Sequence, residues 1–511
     1  MKILSALQQK MADERAIAQE PISSLQLMER AARLCLGAML KQYPDQKRFR
    51  IVCGSGNNGG DGLAMARMLL LQGFEDTVCY RMESGHYSAD NQANADRLYQ
   101  FRPDTLQHPH AIQLPEDDEQ ALWIDALFGT GLSRPPDGLA ADWIALLNRQ
   151  KKVVSVDVPS GLYSDGPSPD GQYVRSMHTF SFHAPKEGFF YPAARISFSV
   201  VDIGLDQTFT DSLEGELYCL DRASIRQIYK PRTRHSHKGD YGHLLLVAGS
   251  ADKPGAAVMA AQAAIRSGCG LVTVYCPEKV ATALALHGPE AMLQLAGRDL
   301  IGDNAGLPEG RFDAIAIGPG IGTADETTSA LNALLQRFPR LPLLGDADFL
   351  NLVAAGKIPA ENWQGRSLFT PHPGEFRRLA GSWENDAAMF DMQKAYAAKH
   401  NIELLLKGTY SCLASKDGSR WFNPRGHAGM AKGGSGDVLT GLCGGLLAQG
   451  YSLKESALLG MWLHGDAGER AATAYSAEAM TAMDLVHRLP DAWKDLSQPQ
   501  NSYCAPGPKL A

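Results

Sequence analysis

Along the first two hundred positions, short apolar and β-branched runs alternate with longer stretches of helical spacing. Phe49 to Cys53 (FRIVC), Asp76 to Tyr80 (DTVCY), Leu122 to Asp125 (LWID) and Lys152 to Val156 (KVVSV) read as buried strands, each followed by a Gly-rich or polar loop and then a helix. Such alternation predicts a parallel sheet with helices on both faces. Segments around Thr179 to Phe182, Ser197 to Asp202 and Leu217 to Leu220 are candidates to extend that sheet. The pattern breaks near 222–242, where KPRTRHSHKGDYGH is basic and polar with little apolar periodicity. A second strand-loop-helix series follows: Leu244 to Ala248, a helix over 255–267, a strand at Leu271 to Cys276, and strands near 313–317, 342–345 and 402–406. The expected organisation is an α/β domain over 1–222, a second α/β domain over 223–496, and a loosely ordered Pro- and Gln-containing tail over 497–511.

Length supports this division, because 511 residues exceed what one hydrophobic core accommodates. A net charge of −7 lacks the basic surface that would attract nucleic acid or anionic lipid, so neither is expected as a partner. Nine scattered cysteines contain no C-x-x-C pair and fit reduced thiols in a cytosol. The N-terminal residues lack the apolar core of a secretory signal, and no run of about 18 apolar residues occurs. A cytoplasmic protein, assembled as a homo-oligomer, is the expectation.

Gly54-Ser55-Gly56-Asn57-Asn58-Gly59 follows a predicted strand and satisfies G-x-G-x-x-G. A dinucleotide pyrophosphate would sit on the following helix N-terminus. Gly60-Asp61 continues the loop, however, and a carboxylate there repels phosphate and offers itself as a helix cap. The paired amides of Asn57 and Asn58 favour a functional loop over a bare cap, since they supply donors and acceptors together. Two further loops, Asp125 to Arg134 (DALFGTGLSR) and Val156 to Leu162 (VDVPSGL), leave strands at the edge where open α/β sheets bind ligands.

Together GSGNNGGDG, DALFGTGLSR and VDVPSGL resemble the NAD(P)HX epimerase domain, a Rossmann-like three-layer α/β fold, over roughly 1–220. The resemblance implies that Asn57, Asn58, Gly59, Gly60, Asp61, Gly129, Thr130, Gly131, Leu132, Ser133, Arg134, Pro135 and Asp157 hold hydrated NADH or NADPH. It also implies that Asn58, Asp125 and Ser160 ligate potassium and that Asp157 is the acid/base. Three oxygen donors suit a hard alkali cation.

In the second half, Gly433-Gly434-Ser435-Gly436-Asp437 precedes an apolar helical run and forms an anion hole, with Asp437 placed to deprotonate a hydroxyl that attacks phosphate. The bland alternative makes Asp437 a helix cap. GGSGD resembles ribokinase-like small-molecule kinases. With HKGDYG at 237–242, GPGIG at 318–322, TPHPGE at 370–375 and GMAK at 429–432, it resembles the ADP-dependent NAD(P)HX dehydratase branch of that superfamily over roughly 230–490. The resemblance implies phosphorylation of the C6 hydroxyl and elimination, yielding NAD(P)H, AMP and phosphate. Ala256, Gly322 of the 318–322 loop, His372 and Asp437 would meet the hydrated nucleotide. Lys407, Gly408, Thr409, Tyr410, Ser411 and Gly436 would hold ADP, with Mg²⁺ on the phosphates. His372 as an exposed loop residue and Lys407 as a solvated charge are the plain alternatives.

The family's Lys-Gly-Ala-x-Thr is Lys407-Gly408-Thr409-Tyr410-Ser411 here, its Gly-Asn-x-Gly-Met is Gly426-His427-Ala428-Gly429-Met430, and its Asp-Ala-Asp-Ala-Leu-Asn is Asp346-Ala347-Asp348-Phe349-Leu350-Asn351. None of these departures removes a catalytic group. Two rival functions stand beside epimerase plus dehydratase: a kinase for a vitamin precursor with a regulatory first half, and a non-catalytic interaction module over 1–220.

Overall fold

A computed structural model describes residues 1–108, 118–168, 172–302, 306–308 and 310–498. The chain separates into two compact units, Met1–Leu217 and Tyr218–Ala511. Of the tail expected from Ser497, residues 499–511 lie outside the described residues, and Ser497 itself closes the helix Ala482–Ser497.

The apolar runs of the first unit form seven strands: β1 (Phe49–Cys53), β2 (Thr77–Arg81), β3 (Leu106–Gln107), β4 (Leu122–Ala126), β5 (Val153–Val156), β6 (His178–Phe182) and β7 (Phe198–Val201). Their order is β3-β2-β1-β4-β5-β6-β7, and every pair is parallel. Chain direction across the sheet therefore reverses between β1 and β4, the switch point where open α/β sheets open a crevice. The helix Asn57–Leu71, buried along most of its length, leaves β1 into this crevice. On the sheet's other face, Tyr80 stacks on Trp123 with ring centroids 6.0 Å apart, and Trp143 is fully buried beside them.

Ten strands form the second sheet. They are β8 (Leu217–Cys219), β9 (His243–Val247), β10 (Leu271–Cys276), β11 (Met292–Leu295), β12 (Ala314–Ile317), β13 (Leu343–Gly345), β14 (Ser367–Phe369), β15 (Glu403–Leu406), β16 (Cys412–Ala414) and β17 (Arg420–Phe422). The order is β11-β10-β9-β12-β13-β14-β15-β16-β17-β8. Pairing is parallel as far as β15 and antiparallel through β15, β16 and β17. The switch point here lies between β9 and β12. One expectation is corrected: Leu217 to Leu220 does not extend the first sheet but borders β17. Tyr218 stacks on Trp421 at 4.3 Å, and the Leu220 amide donates to the Phe422 carbonyl at 2.8 Å. Hydrophobic periodicity marks a strand without saying which distant strand it will pair.

Gly434 caps the helix Ser435–Ala448 with φ of 96°, and a Cβ there would lie 2.4 Å from Met259 Sδ. Gly434→Ala is therefore expected to lower the stability of the second unit by about 1–3 kcal/mol, the usual cost of a strained non-glycine backbone. Urea unfolding followed by Trp fluorescence checks it; an unchanged midpoint would refute the strain.

Candidate active sites

In the first unit a cavity of about 890 Å³ opens at the C-terminal ends of β1, β4 and β5. Asn57, Asn58, Asp61, the run Gly129 to Arg134 and Asp157 all line it. Gly59, Gly60 and Pro135 do not. Gly59 and Gly60 instead let the helix pack closely, since a Cβ on either would lie within 3 Å of Gly54 O or Met28 Sδ. Asp61 is not the helix cap, because Gly56 occupies that position and the helix begins at Asn57. The residue is 7% exposed. Burial first, and then the nearby charges of Asp157 and Asp13, push its pKa well above the carboxylate range.

Asp157 follows β5 in a left-handed conformation, φ 62°, a strain worth about 1–3 kcal/mol that surrounding bonds must offset. Its amide donates to Phe180 O at 2.8 Å, its Oδ1 accepts from the Phe182 amide at 3.1 Å, and Lys186 Nζ stands 3.1 Å from the same Oδ1. Lys186 is 2% exposed and also donates to the carbonyls of Phe182 and Ala184 at 3.0 and 3.1 Å. Sequence reasoning missed this lysine. It also missed Asp13, which reaches the cavity from the helix Ala6–Gln19 and is pushed up to about 6, by burial above all.

Asn58, Asp125 and Ser160 form one connected cluster. The fully buried Asp125 accepts from Ser160 Oγ at 2.5 Å, Ser160 N at 2.8 Å and Ser155 Oγ at 2.9 Å. Burial still raises its pKa, against the lowering effect of those bonds. Asn58 Nδ2 donates to Phe128 O at 2.8 Å, and Ser160 Oγ lies 3.4 Å from the same carbonyl. Asn58 Oδ1 is buried and has no partner among the described residues. An orphaned amide oxygen beside a buried carboxyl and a hydroxyl is a donor set that fits potassium.

In the second unit the predicted residues again gather at the carboxyl ends of parallel strands. Asp346 follows β13 and is almost fully buried. Lys407, at the end of β15, places Nζ 2.8 Å from Asp346 Oδ1 and 3.9 Å from Glu375 Oε2. At 20% exposure Lys407 is no solvated charge. Burial opposes its charged form, but Asp346 and Glu375 outweigh burial and raise its pKa. Thr440 Oγ1 donates to the other Asp346 oxygen at 2.7 Å, which ties the glycine-loop helix to the same carboxylate. A Cβ on Gly436 would sit 3.3 Å from Lys407 Nζ, so the anion hole and the lysine share one space.

Asp437 lies in the first turn of the helix Ser435–Ala448, and its side chain caps nothing. Burial first, then Asp346, raise it to about 7 against the pull of Lys407. Gly322 donates its amide to Asp348 Oδ2 at 2.9 Å, and Lys253 pairs with that oxygen at 3.2 Å. A Cβ on Gly320 would lie 3.0 Å from that of Ala256, which brings the 318–322 loop onto the helix Pro254–Arg266. His372 is exposed but is no bare loop residue: its Nδ1 caps the helix Pro373–Ala380, accepting from the Gly374 amide at 3.0 Å, while Glu375 accepts from the His372 amide at 2.9 Å. Gly408 to Ser411 continue from Lys407, with Gly408 N donating to Ser411 Oγ at 3.4 Å. His464, missed in the sequence, is held neutral by burial, with its pKa lowered to about 4, and sits 2.9 Å from Ser435 O beneath the loop.

The switch-point crevice of the first sheet and the carboxylate-lined glycine loop of the second define an α/β enzyme with one ligand site in each unit. Residues 24–188 match the family described as YjeF-related protein N-terminus, and residues 244–491 the family described as NAD(P)H-hydrate dehydratase. The bifunctional NAD(P)H-hydrate repair enzyme Nnr of Moorella thermoacetica is 33% identical, over 99% of this chain and 99% of its own. Its namesake in Escherichia coli is 33% identical over 91% of this chain and 88% of its own. A solved ADP/ATP-dependent NAD(P)H-hydrate dehydratase from Bacillus subtilis, co-crystallized with ATP/Mg²⁺, is 31% identical, covers 54% of this chain and 97% of its own, and has a TM-score of 0.46. The chain belongs to the bifunctional NAD(P)H-hydrate repair enzyme family.

Proposed function

We propose that the first unit interconverts the R and S epimers of hydrated NADH and NADPH, and that the second converts the S epimer to NAD(P)H at the expense of ADP, releasing AMP and phosphate. The observation that supports this most directly is Asp437: a half-buried carboxyl with no hydrogen bond to any described residue, raised to about 7, beside a lysine and a glycine-lined helix N-terminus. A base poised near neutrality suits removal of the C6 hydroxyl proton. The alkoxide attacks the terminal phosphorus of ADP, the P–O bond to AMP breaks, and phosphate then leaves C6 as the ring nitrogen supplies electrons, after which C5 gives up its proton to the departing phosphate. Lys407 and the loop amides stabilise charge on the transferring group. Mg²⁺ on the phosphates would neutralise charge on the transferring group.

In the first unit, Asn57, Asn58 and the 129–134 loop bind the nucleotide, and Asp157, oriented by Lys186 and the Phe182 amide, handles the proton. Potassium held by Asn58, Asp125 and Ser160 would supply a fixed positive charge beside the substrate. Exchanging potassium for tetramethylammonium is expected to slow epimerisation in a way that added potassium reverses. An unchanged rate would remove the ion from the site.

Incubation with hydrated NADH, ADP and Mg²⁺, followed by NADH absorbance, tests the whole reading. A stable phosphorylated product from ATP without NADH would replace it with the kinase alternative. No helix among the described residues is long and apolar enough to cross a membrane. The Cys53 and Cys79 sulfurs lie 3.5 Å apart in the core of the first unit.

A further inference from the structure

Four carboxyls line the first unit's cavity, from Asp13, Glu14, Asp61 and Asp157, and they are not equivalent. Glu14 is exposed and pairs with Lys10 on its own helix. Asp157 has a cation at its oxygen and two backbone links that fix it. Asp13 is half-buried and accepts from Gln9 Nε2 at 3.2 Å. Asp61 is more than nine-tenths buried, and no hydrogen bond or ion pair from the described residues reaches its carboxyl. A buried carboxyl with no donor and no cation holds its own proton, and the charges of Asp157 and Asp13 act in the same direction.

Placement matters as much as environment. Asp61 stands on the helix that follows β1, and Asp157 follows β5; these strands lie on either side of β4. A ring spanning the end of β4 therefore meets one carboxyl from each flank. Epimerisation at C6 exchanges a hydroxyl on one face for a hydroxyl on the other, so it needs a proton delivered on one side and taken up on the other.

We propose that Asp61 is the general acid of epimerisation, giving its proton to the departing C6 hydroxyl while Asp157 receives the proton of the water that adds to the opposite face. The C6–O bond breaks as the ring nitrogen lone pair forms a double bond to C6, and the hydroxyl leaves as water. A second water then adds to C6, the electrons return to nitrogen, and its surplus proton passes to Asp157. One water leaves and one enters, and one proton is given and one taken. The reverse direction runs with the two carboxyls exchanging roles, and proton exchange with solvent through the open cavity resets the pair.

This inference rests on the epimerase reading, and the experiment separates the two. Full-length protein without ADP is given one epimer of hydrated NADH; conversion to the other is followed by chromatography and uptake of ¹⁸O from labelled water by mass spectrometry. Asp61→Asn, close in shape but unable to give a proton, is expected to lower kcat by about 10²–10⁴-fold, with KM little changed and ¹⁸O uptake falling in step. The ADP-dependent rate of the same protein on the S epimer and the first unit's thermal transition should both remain at the wild-type values, which controls for the folding of each unit. Formate added to Asp61→Gly is expected to restore part of the rate. Asp61→Asn with wild-type kcat, or with a loss confined to KM, would overturn the assignment. A wild-type protein that interconverts nothing would overturn the epimerase reading instead.

Discussion

Asp437→Asn is expected to lower NAD(P)H formation by about 10²–10⁴-fold, the range typical of removing a positioned general base, while epimer interconversion in the first unit continues unchanged. The substitution preserves shape at a half-buried position, so binding of hydrated nucleotide and ADP should persist. The wild-type pH profile adds a second check. Only the ionised carboxyl can accept the hydroxyl proton, and burial together with Asp346 raises this group to about 7. The kcat/KM for dehydration should therefore fall below about pH 7 with a slope of one proton, and Asp437→Asn should lose that limb. Stability carries the opposite sign. A carboxyl whose folded pKa exceeds its unfolded value binds more protons when folded, so the second unit loses stability as pH rises from the ordinary carboxylate range toward 7. Asp437→Asn should consequently be more stable than wild type at pH 8 and close to it at pH 4. A variant that keeps full dehydration activity would remove Asp437 from the reaction.

Lys186→Met is expected to destabilise the first unit by about 3–5 kcal/mol, because removing one member of a buried ion pair leaves the other uncompensated. Lys186 and Asp157 are both nearly inaccessible, their side chains 2% and 10% exposed. The loss extends beyond charge, since the ammonium also serves the carbonyls of Phe182 and Ala184, which hold the turn after β6. Asp157 keeps its left-handed backbone only while these contacts constrain it, so epimerase activity should fall together with stability. Thermal unfolding should show the first unit's transition lowered and the second's in place. Lys186→Met with a wild-type transition would show that the pair contributes nothing net.

The strands were largely legible as apolar runs: FRIVC coincides with β1 and Leu271 to Cys276 with β10, and most others shift by a residue or two. Met292 to Leu295 gave no clear signal, because alternate residues of this edge strand are exposed. The three polar loops of the first unit announced their shared edge through Gly, Asn and Asp clustering, and the structure puts Asn57, Asp61, Thr130 and Asp157 on one cavity. What escaped was pairing across the chain. Lys407 left a nucleotide contact and a plain strand-end charge both open, because its partner Asp346 lies 61 residues away. Asp13 sits in a polar helix with nothing local to mark it, and Lys186 looked like any loop lysine until burial against Asp157 gave it a role. His372 shows the converse: proline neighbours suggested a bare loop, whereas its imidazole completes a helix start.

The link between Lys407 and Asp346 bears on how long products stay. An arriving phosphate finds an ammonium already satisfied, so it gains only the difference between its own attraction and that of Asp346, and Thr440 keeps Asp346 from swinging away. Were ADP divided there into AMP and phosphate, as proposed, each fragment would compete less well for the lysine than the intact diphosphate, and the carboxylate would recapture it. On the proposed reading, the same salt bridge would lower the attraction of Lys407 for an incoming nucleotide and for the spent one alike, favouring clearance over retention.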